Sequence, residues 1–369
     1  MPARRPPPSS ASIEPGFEQT IAFMQSRDGV KIAYALSGRG RPLVKTANWL
    51  THLEYDRRTP IWRHWLEFLS GEARLLRYDE RGNGLSDHDV EDLSFERWVE
   101  DLESLVDHVG LERFPLLGVS QGGAVALEYA ARHPERVERI VLCGAYAQGW
   151  ARREDEAERR RGHALLELVE LGWGADNPAY RTLFAHLFAP DADEEHARSL
   201  SELQRLSTEP ATAARLIEAA SRIDIRSSLG KIKAPTLVMH ARGDARVPFD
   251  QGRLLAASIP GATFVPLESR NHALLAADPA WGVFKAEFRA FFGGASEETA
   301  GAVRIHAEYG ELTPRELAVV EQVAGGLDNA EVGRRLGISE KTVRNHLTRI
   351  FEKLGVQTRA QLIVRARRS

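Results

Sequence analysis

A single cysteine, Cys143, stands in 369 residues. One thiol cannot close a disulfide within the chain, so a packed core must hold the fold, and a reducing, cytoplasmic setting is the expectation. No run approaches the ~18 apolar residues of a bilayer span, so no membrane partner is expected. His, Cys, Asp and Glu show no metal-ligand spacing, so neither a metal nor a cofactor is expected. No internal repeat breaks the globular composition, which is 43% hydrophobic and 27% charged. Met1 to Ser12 carries arginines and prolines but no apolar stretch, so residues 1–18 read as a disordered leader and not a signal peptide.

The small net charge of −3 is unevenly divided. From Leu312 onward, 11 Lys and Arg face 6 Asp and Glu, a net of +5, which leaves 38 against 46, a net of −8, before it. An acidic body with a basic tail is the asymmetry expected when the tail alone meets nucleic acid.

Strand and helix patterns alternate through the first part. Gln19 to Gln25 and Lys31 to Leu36 flank Arg27-Asp28-Gly29 as a hairpin. Pro42 to Thr46 and Arg74 to Tyr78 read as strands, with a helix near Ile61 to Leu69 between them. Trp98 to Val109 carries apolar residues at helical spacing. The strand Arg139 to Cys143 follows. From Gln148 to about Lys233 the pattern is helical, with Trp150, Leu165, Trp173, Tyr180, Leu183, Phe184 and Phe188 as its large apolar residues, core or ligand contacts. Its charged stretch, Arg152 to Arg161, reads as a solvated helix face. Alternation resumes with Thr236 to Met239, Gly252 to Ile259, Thr263 to Leu267 and Trp281 to Phe292. The class implied is α/β, a mostly parallel sheet with a helical insertion at about 148–233.

One stretch organises this pattern. Phe114 to Val119 is a short apolar run that ends at Ser120, between Gly118 and Gly122-Gly123, and a helix-forming run follows at once. A nucleophilic serine needs such a sharp strand-to-helix turn, with small neighbours that let strand and helix approach. It also needs an imidazole to take its proton and an acid to orient that imidazole. Loops at the carboxyl ends of strands supply such groups. Asp244 follows the strand ending at Met239, and His272 follows the strand ending at Leu267.

The region from Gln19 to Phe292 resembles the α/β-hydrolase fold. The elbow around Ser120, the Asp79-x-Arg81-Gly82-x-Gly84-x-Ser86 stretch and Gly243-x-x-x-x-Pro248 around Asp244 carry the match. The resemblance implies Ser120 as nucleophile, Asp244 as acid, His272 as general base, and the Gln121 backbone N–H as half of an oxyanion hole. The family's His-Gly pair after the third strand is replaced by Ala47-Asn48-Trp49-Leu50, so the Trp49 N–H is the candidate for the other half. Loss of one such donor costs ~10²–10³ in turnover, so a poor rate is compatible with an intact triad. His52 and Glu54 nearby read as pocket-lining or structural.

Leu312-Thr313-Pro314-Arg315-Glu316 opens a helix, with Thr313 as cap and Glu316 completing a capping box. Asn329 to Leu336 is a second helix, and Ser339 caps a third that runs to about Leu354. Val343, Leu347, Ile350 and Leu354 lie on one face of it. This stretch resembles the LuxR-type helix-turn-helix DNA-binding domain over residues 312–369, after a linker at 294–311. The resemblance places the third helix in the major groove. Arg344, Asn345 and Thr348 would read base edges, and Lys341, Thr342, His346 and Arg349 would meet phosphates. Leu362 and Ile363 resemble the family's dimer contact.

The expectation is a transcriptional regulator that binds double-stranded DNA as a homodimer. Its hydrolase-like domain would sense, and could also cleave, a small apolar ester-, lactone- or amide-like molecule. The alternative is a serine hydrolase of esterase or lactonase type that the tail merely tethers.

Overall fold

The computed structural model describes residues 18–174, 177–293, 312, 316, 319–320, 322–323, 327–336, 339–356, 358–359 and 361–362. The leader (1–17), the expected linker (294–311), Thr313, Pro314 and Ile363 lie outside them. The chain divides into two compact units, Met1–Phe288 and Arg289–Ser369.

The first unit is built on one sheet of eight strands: β1 (Gln19–Gln25), β2 (Lys31–Ser37), β3 (Pro42–Lys45), β4 (Arg74–Tyr78), β5 (Phe114–Val119), β6 (Val137–Cys143), β7 (Thr236–Ala241) and β8 (Thr263–Leu267). Their order is β1-β2-β4-β3-β5-β6-β7-β8. β2 pairs antiparallel with β1 and β4, and every later pair is parallel. All residues of β5 and β7 are buried, as a parallel sheet covered on both faces requires. The helices between strands are α1 (Arg63–Glu72), α2 (Phe95–His108), α3 (Gln121–Arg132) and α9 (Phe249–Ser258), and α10 (Pro279–Gly293) follows β8. α2 starts three residues before the apolar stripe from which it was read, because that stripe marks the buried face and not the first turn.

Between β6 and β7 lies the helical insertion: a short 3₁₀ turn at Trp150–Arg152, then α4 (Glu156–Gly172), α5 (Pro178–Phe188), α6 (Glu194–Ser207), α7 (Pro210–Ser221) and α8 (Arg226–Leu229). Capping starts three of these helices. Asp155, Asn177 and Asp193 each accept a backbone N–H at an N-terminus, and Pro178 occupies the first turn of α5. Leu165, Val169, Trp173, Phe184, Leu203 and Ile217 pack with Leu50, Ile61 and Ala273 of the body. Each such fully buried side chain contributes roughly 2 kcal/mol, so the insertion is part of the core, not an appendage.

The loop after β4 is a rigid frame. Asp79 Oδ2 accepts from the backbone N–H of Leu53 (3.1 Å) and Leu85 (2.9 Å). Arg81, fully enclosed, donates to both oxygens of Asp101 (2.7 and 2.6 Å) and of Asp28 (2.8 and 3.1 Å). Paired on both sides, the guanidinium fixes the loop instead of facing a ligand.

In the second unit, α11 (Asn329–Leu336) is closed by a reciprocal capping box. Glu331 N–H donates to Asp328 Oδ1 (2.8 Å) while Asp328 N–H donates to Glu331 Oε2 (3.1 Å). α12 (Glu340–Leu354) is capped by Ser339, which accepts from Thr342 N–H, and it ends at left-handed Gly355. Val319, Val320, Val323, Val332, Val343, Leu347, Ile350 and Leu354 form the core. Leu362 belongs to the same core and is fully buried, so it is an internal contact of the unit and not a free dimer surface. Glu316 is buried and accepts from Lys353 Nζ (2.7 Å).

Candidate active site and nucleic-acid interface

Ser120 joins β5 to α3 with φ 53° and ψ −128°, a conformation rare for any residue with a Cβ. The glycines around it are close-approach residues. A Cβ on Gly118 would lie 2.5 Å from Gly123 Cα, and one on Gly122 would lie 2.4 Å from Ala47 O. A Cβ on Gly123 would lie 2.3 Å from Ala145 Cβ. The turn therefore presses strand, helix and neighbouring loops together and lifts the hydroxyl out of the sheet. Gln121 opens α3, where its N–H has no partner in the helix.

Asp244 and His272 meet across the ends of β7 and β8. His272 Nδ1 lies 2.8 Å from Asp244 Oδ2, and Asp244 Oδ1 accepts from Arg246 N–H and Val247 N–H, both at 2.8 Å. Burial works to raise the Asp244 pKa, but the neighbouring His272 and its hydrogen bond, with His240 and the Val247 N–H, hold it below the usual carboxylate value. His272 N–H donates to Phe188 O (2.8 Å), as does Ala273 N–H (3.0 Å), so the end of α5 pins the histidine loop. Nε2 of His272 is enclosed and has no hydrogen-bond partner among the described residues, while Ser120 and His272 line one pocket. The contact between serine and imidazole is open in this state, a common condition of sites without substrate.

The loop that replaces the family's His-Gly pair is fixed from below. Buried Lys45 donates to Asn48 Oδ1 (2.5 Å), and Asn48 Nδ2 donates to Trp49 O (3.2 Å). Burial pulls the Lys45 amine down to about 8, against the opposing pull of Asp56. Leu50 takes φ 60°, so a leucine holds a backbone conformation usually left to glycine. The Trp49 ring stacks on Phe188 (5.0 Å) and meets Trp173 edge-on (5.4 Å).

Two pockets meet at Ser120, Trp49 and Phe188. One is lined by Leu50, Ile61, Trp62, Leu200, Leu203 and His272. The other is lined by Gln121, Tyr146, Arg153, Ser221 and Arg246. Arg153 departs from the expected solvated face: it precedes α4 and turns into the pocket, with Nε donating to Gln148 O (2.9 Å). His52 lies outside both pockets; its ring Nδ1 accepts from Tyr55 N–H (3.3 Å), and burial lowers its pKa. Glu54 is exposed and lines neither.

Two polar neighbours were not singled out from the sequence. His240 is fully buried, with Nε2 3.1 Å from Val247 O and 3.4 Å from Asp244 Oδ2, and burial lowers its pKa. Its place four residues before Asp244 at the end of a strand was the available signal. Glu80, buried beneath α3, accepts from Gln121 Nε2, and burial pushes its carboxyl up to about 8.

On α12, Lys341, Arg344, Asn345, Thr348 and Arg349 are exposed, and Thr342 and His346 are half-buried. Arg344 donates to Glu340 Oε1 (3.0 Å) one turn earlier, and Thr348 Oγ1 donates to Arg344 O (3.2 Å). One face of the helix is thus basic and amide-bearing while the opposite face is core. Among the described residues no group of His, Cys, Asp and Glu could hold a metal ion, and no helix is long and apolar enough to cross a membrane.

Comparison with known proteins agrees with both units. The model of the alpha/beta hydrolase fold family matches residues 58–278, and that of bacterial regulatory proteins of the luxR family matches residues 310–366. The AB hydrolase superfamily protein YisY of Bacillus subtilis is 26% identical over 257 residues, 68% of this chain and 91% of that protein. A pimeloyl-[acyl-carrier protein] methyl ester esterase of Neisseria meningitidis is 32% identical over 214 residues, 54% of this chain and 65% of that one. The crystal structure of a hydrolase from Pseudomonas aeruginosa superposes with a TM-score of 0.61 at 27% identity, covering 74% of this chain and 98% of its own. The chain belongs to the α/β-hydrolase fold family and carries a LuxR-family helix-turn-helix domain at its C-terminal end.

Proposed function

We propose that the protein is a DNA-binding transcriptional regulator whose α/β-hydrolase domain senses a small ester-, lactone- or amide-like molecule and hydrolyses it. The observation that carries this reading is the convergence, at one pocket, of strained Ser120 with the hydrogen-bonded pair Asp244 and His272. The hydrolase and esterase names of its relatives support it.

The chemistry follows from the positions. Ser120 Oγ attacks the carbonyl carbon and gives its proton to His272 Nε2, while Asp244 stabilises the imidazolium. The carbonyl oxygen, now an anion, takes hydrogen bonds from the N–H groups of Gln121 and Trp49. Collapse expels the leaving group, which takes the proton from His272. Water then attacks the acyl-enzyme through the same imidazole and frees Ser120.

The second unit would bind double-stranded DNA through α12 as a homodimer in the cytoplasm. Arg344, Asn345 and Thr348 would contact bases, and Lys341, Thr342, His346 and Arg349 would contact phosphates. Coupling is useful because half-site spacing makes DNA affinity sensitive to dimer geometry. Intact-mass labelling with a fluorophosphonate tests the site. One adduct on wild type and none on Ser120→Ala or His272→Ala is the expected result. A folded wild type that stays unlabelled refutes an activated serine, and the domain is then a binding receptor.

A further inference from the structure

The first-unit pocket holds a charge that the hydrolytic chemistry does not use. Arg246 lines the arm that also holds Gln121 and Tyr146, beside Ser120, and among the described residues its side chain makes no hydrogen bond and no ion pair. Its guanidinium lies 6.0 Å from the centre of the Phe188 ring. Two buried arginines around the β4 loop are paired with carboxylates: Arg77 with Asp56, and Arg81 with Asp101 and Asp28. Arg246 differs from these two, and it lies where a small molecule would sit.

The position is built, not incidental. Arg246 N–H donates to Asp244 Oδ1 at 2.8 Å, so the same turn that orients the acid fixes the root of the arginine. Arg153 lines the same arm, held by Gln148 O and by Glu158 Oε2 at 3.1 Å, with its guanidinium 5.8 Å over the Tyr146 ring. Burial works against the Arg246 charge, Tyr146 offsets part of that, the nearby Arg153 adds to it and the Asp244 carboxylate opposes it, and an anion in the pocket would relieve the remainder. The other arm offers Leu50, Ile61, Trp62, Leu200 and Leu203, with His272 at its wall. The leaving group takes its proton from His272, so the apolar arm is the place for it, and the arginine arm is the place for the acyl chain.

We propose that the molecule bound at Ser120 is a hemiester, or its lactone or amide counterpart, whose acyl chain ends in a carboxylate held by Arg246 and Arg153, with an apolar leaving group in the other arm. A planar guanidinium and a carboxylate pair through two parallel hydrogen bonds, which suits a carboxylate better than a neutral polar group. This rests on the hydrolase reading of the site, so its test has a readout without turnover.

The probes are p-nitrophenyl hydrogen glutarate and p-nitrophenyl pentanoate, which differ in the terminal carboxylate. Wild type should favour the glutarate hemiester in kcat/KM, and Arg246→Gln should shrink that preference by about 10- to 100-fold, the worth of a charge-assisted hydrogen bond. Equal kcat/KM for the two esters, or a preference for pentanoate, overturns the proposal and leaves the hydrolase intact. If neither ester turns over, calorimetric titration of Ser120→Ala with monobenzyl glutarate and benzyl pentanoate decides. Tighter binding of the hemiester that is lost in the Ser120→Ala, Arg246→Gln double variant upholds the carboxylate site without hydrolysis. Equal binding overturns it.

Discussion

Glu80 should make the first unit lose stability as pH rises through neutrality. The side chain is 2% exposed. Burial first, and the nearby Asp101 second, push its carboxyl from 4.5 up to about 8, against the hydrogen bond from Gln121 and the charge of Arg81. A group whose folded pKa is raised favours the fold fully below its unfolded pKa, and that favour is lost as pH climbs toward the folded value. At ~1.36 kcal/mol per unit the whole shift corresponds to about 5 kcal/mol, of which about 2 kcal/mol falls between about pH 6 and pH 8. Glu80→Gln carries a neutral amide of nearly the same shape, which can still accept from Gln121 Nε2. The variant should therefore gain about 2 kcal/mol on wild type over that interval. Urea unfolding followed by tryptophan fluorescence measures it, because all 7 tryptophans lie in the first unit and the second is silent. Asp79 and Asp56, both pushed up to about 6, and Lys45, lowered to about 8, also titrate, so the difference between the two proteins is the quantity to read. Parallel stability curves across the interval would show that Glu80 is ionised in the fold, and the argument would fail.

The remaining expectations are smaller. Gly122→Ala places a Cβ 2.4 Å from Ala47 O and 2.7 Å from Thr46 Oγ1, and should cost about 1–3 kcal/mol in the same unfolding assay. Asp244→Asn should lower kcat on the glutarate hemiester by about 10⁴ with the fold intact by circular dichroism; a loss under tenfold would remove Asp244 from the orienting role. Ser339→Ala deletes the cap that holds Thr342 N–H and should cost the second unit about 1 kcal/mol, read from the melting of its helical signal. Lys341→Ala should reduce the salt slope of DNA binding by about 1, whereas Arg344→Ala should flatten sequence preference. Equal losses on all sequences from both would refute that division.

The sheet was legible because burial writes itself into the sequence as period. Continuous apolar runs such as Leu116 to Val119 and Thr236 to Met239 became central strands, and the stripe through Trp98, Leu102 and Leu105 became the buried face of α2. The turn at Ser120 was legible for another reason: close approach forbids a Cβ, so Gly118, Gly122 and Gly123 mark it. Asp244 and His272 were found because they follow strands, and strand ends converge in a parallel sheet. Arg153 and Arg246 carried no such mark. A charge beside other charges reads as solvated, and only the packing of the inserted helices over the sheet turns these two inward. Leu362 failed in the opposite direction, since an exposed contact and a core contact have the same apolar signature and only burial separates them.

Backbone strain locates the site by a route that owes nothing to motifs. Among the described residues only Leu50 and Ser120 take positive φ without being glycine, at 60° and 53°. They are 70 positions apart, on loops that leave the parallel neighbours β3 and β5, and they line one pocket. Each such residue costs of order 1–3 kcal/mol and persists only where its surroundings over-determine it. Those surroundings are visible: Lys45 and Asn48 beneath the first, and the pressed glycines beside the second. Ser120 presents a hydroxyl, and the Leu50 turn shapes the loop whose Trp49 N–H is the second candidate donor. Two independent strains that converge on one space, with opposite chemical offerings, argue that the fold holds that space for a reacting carbonyl.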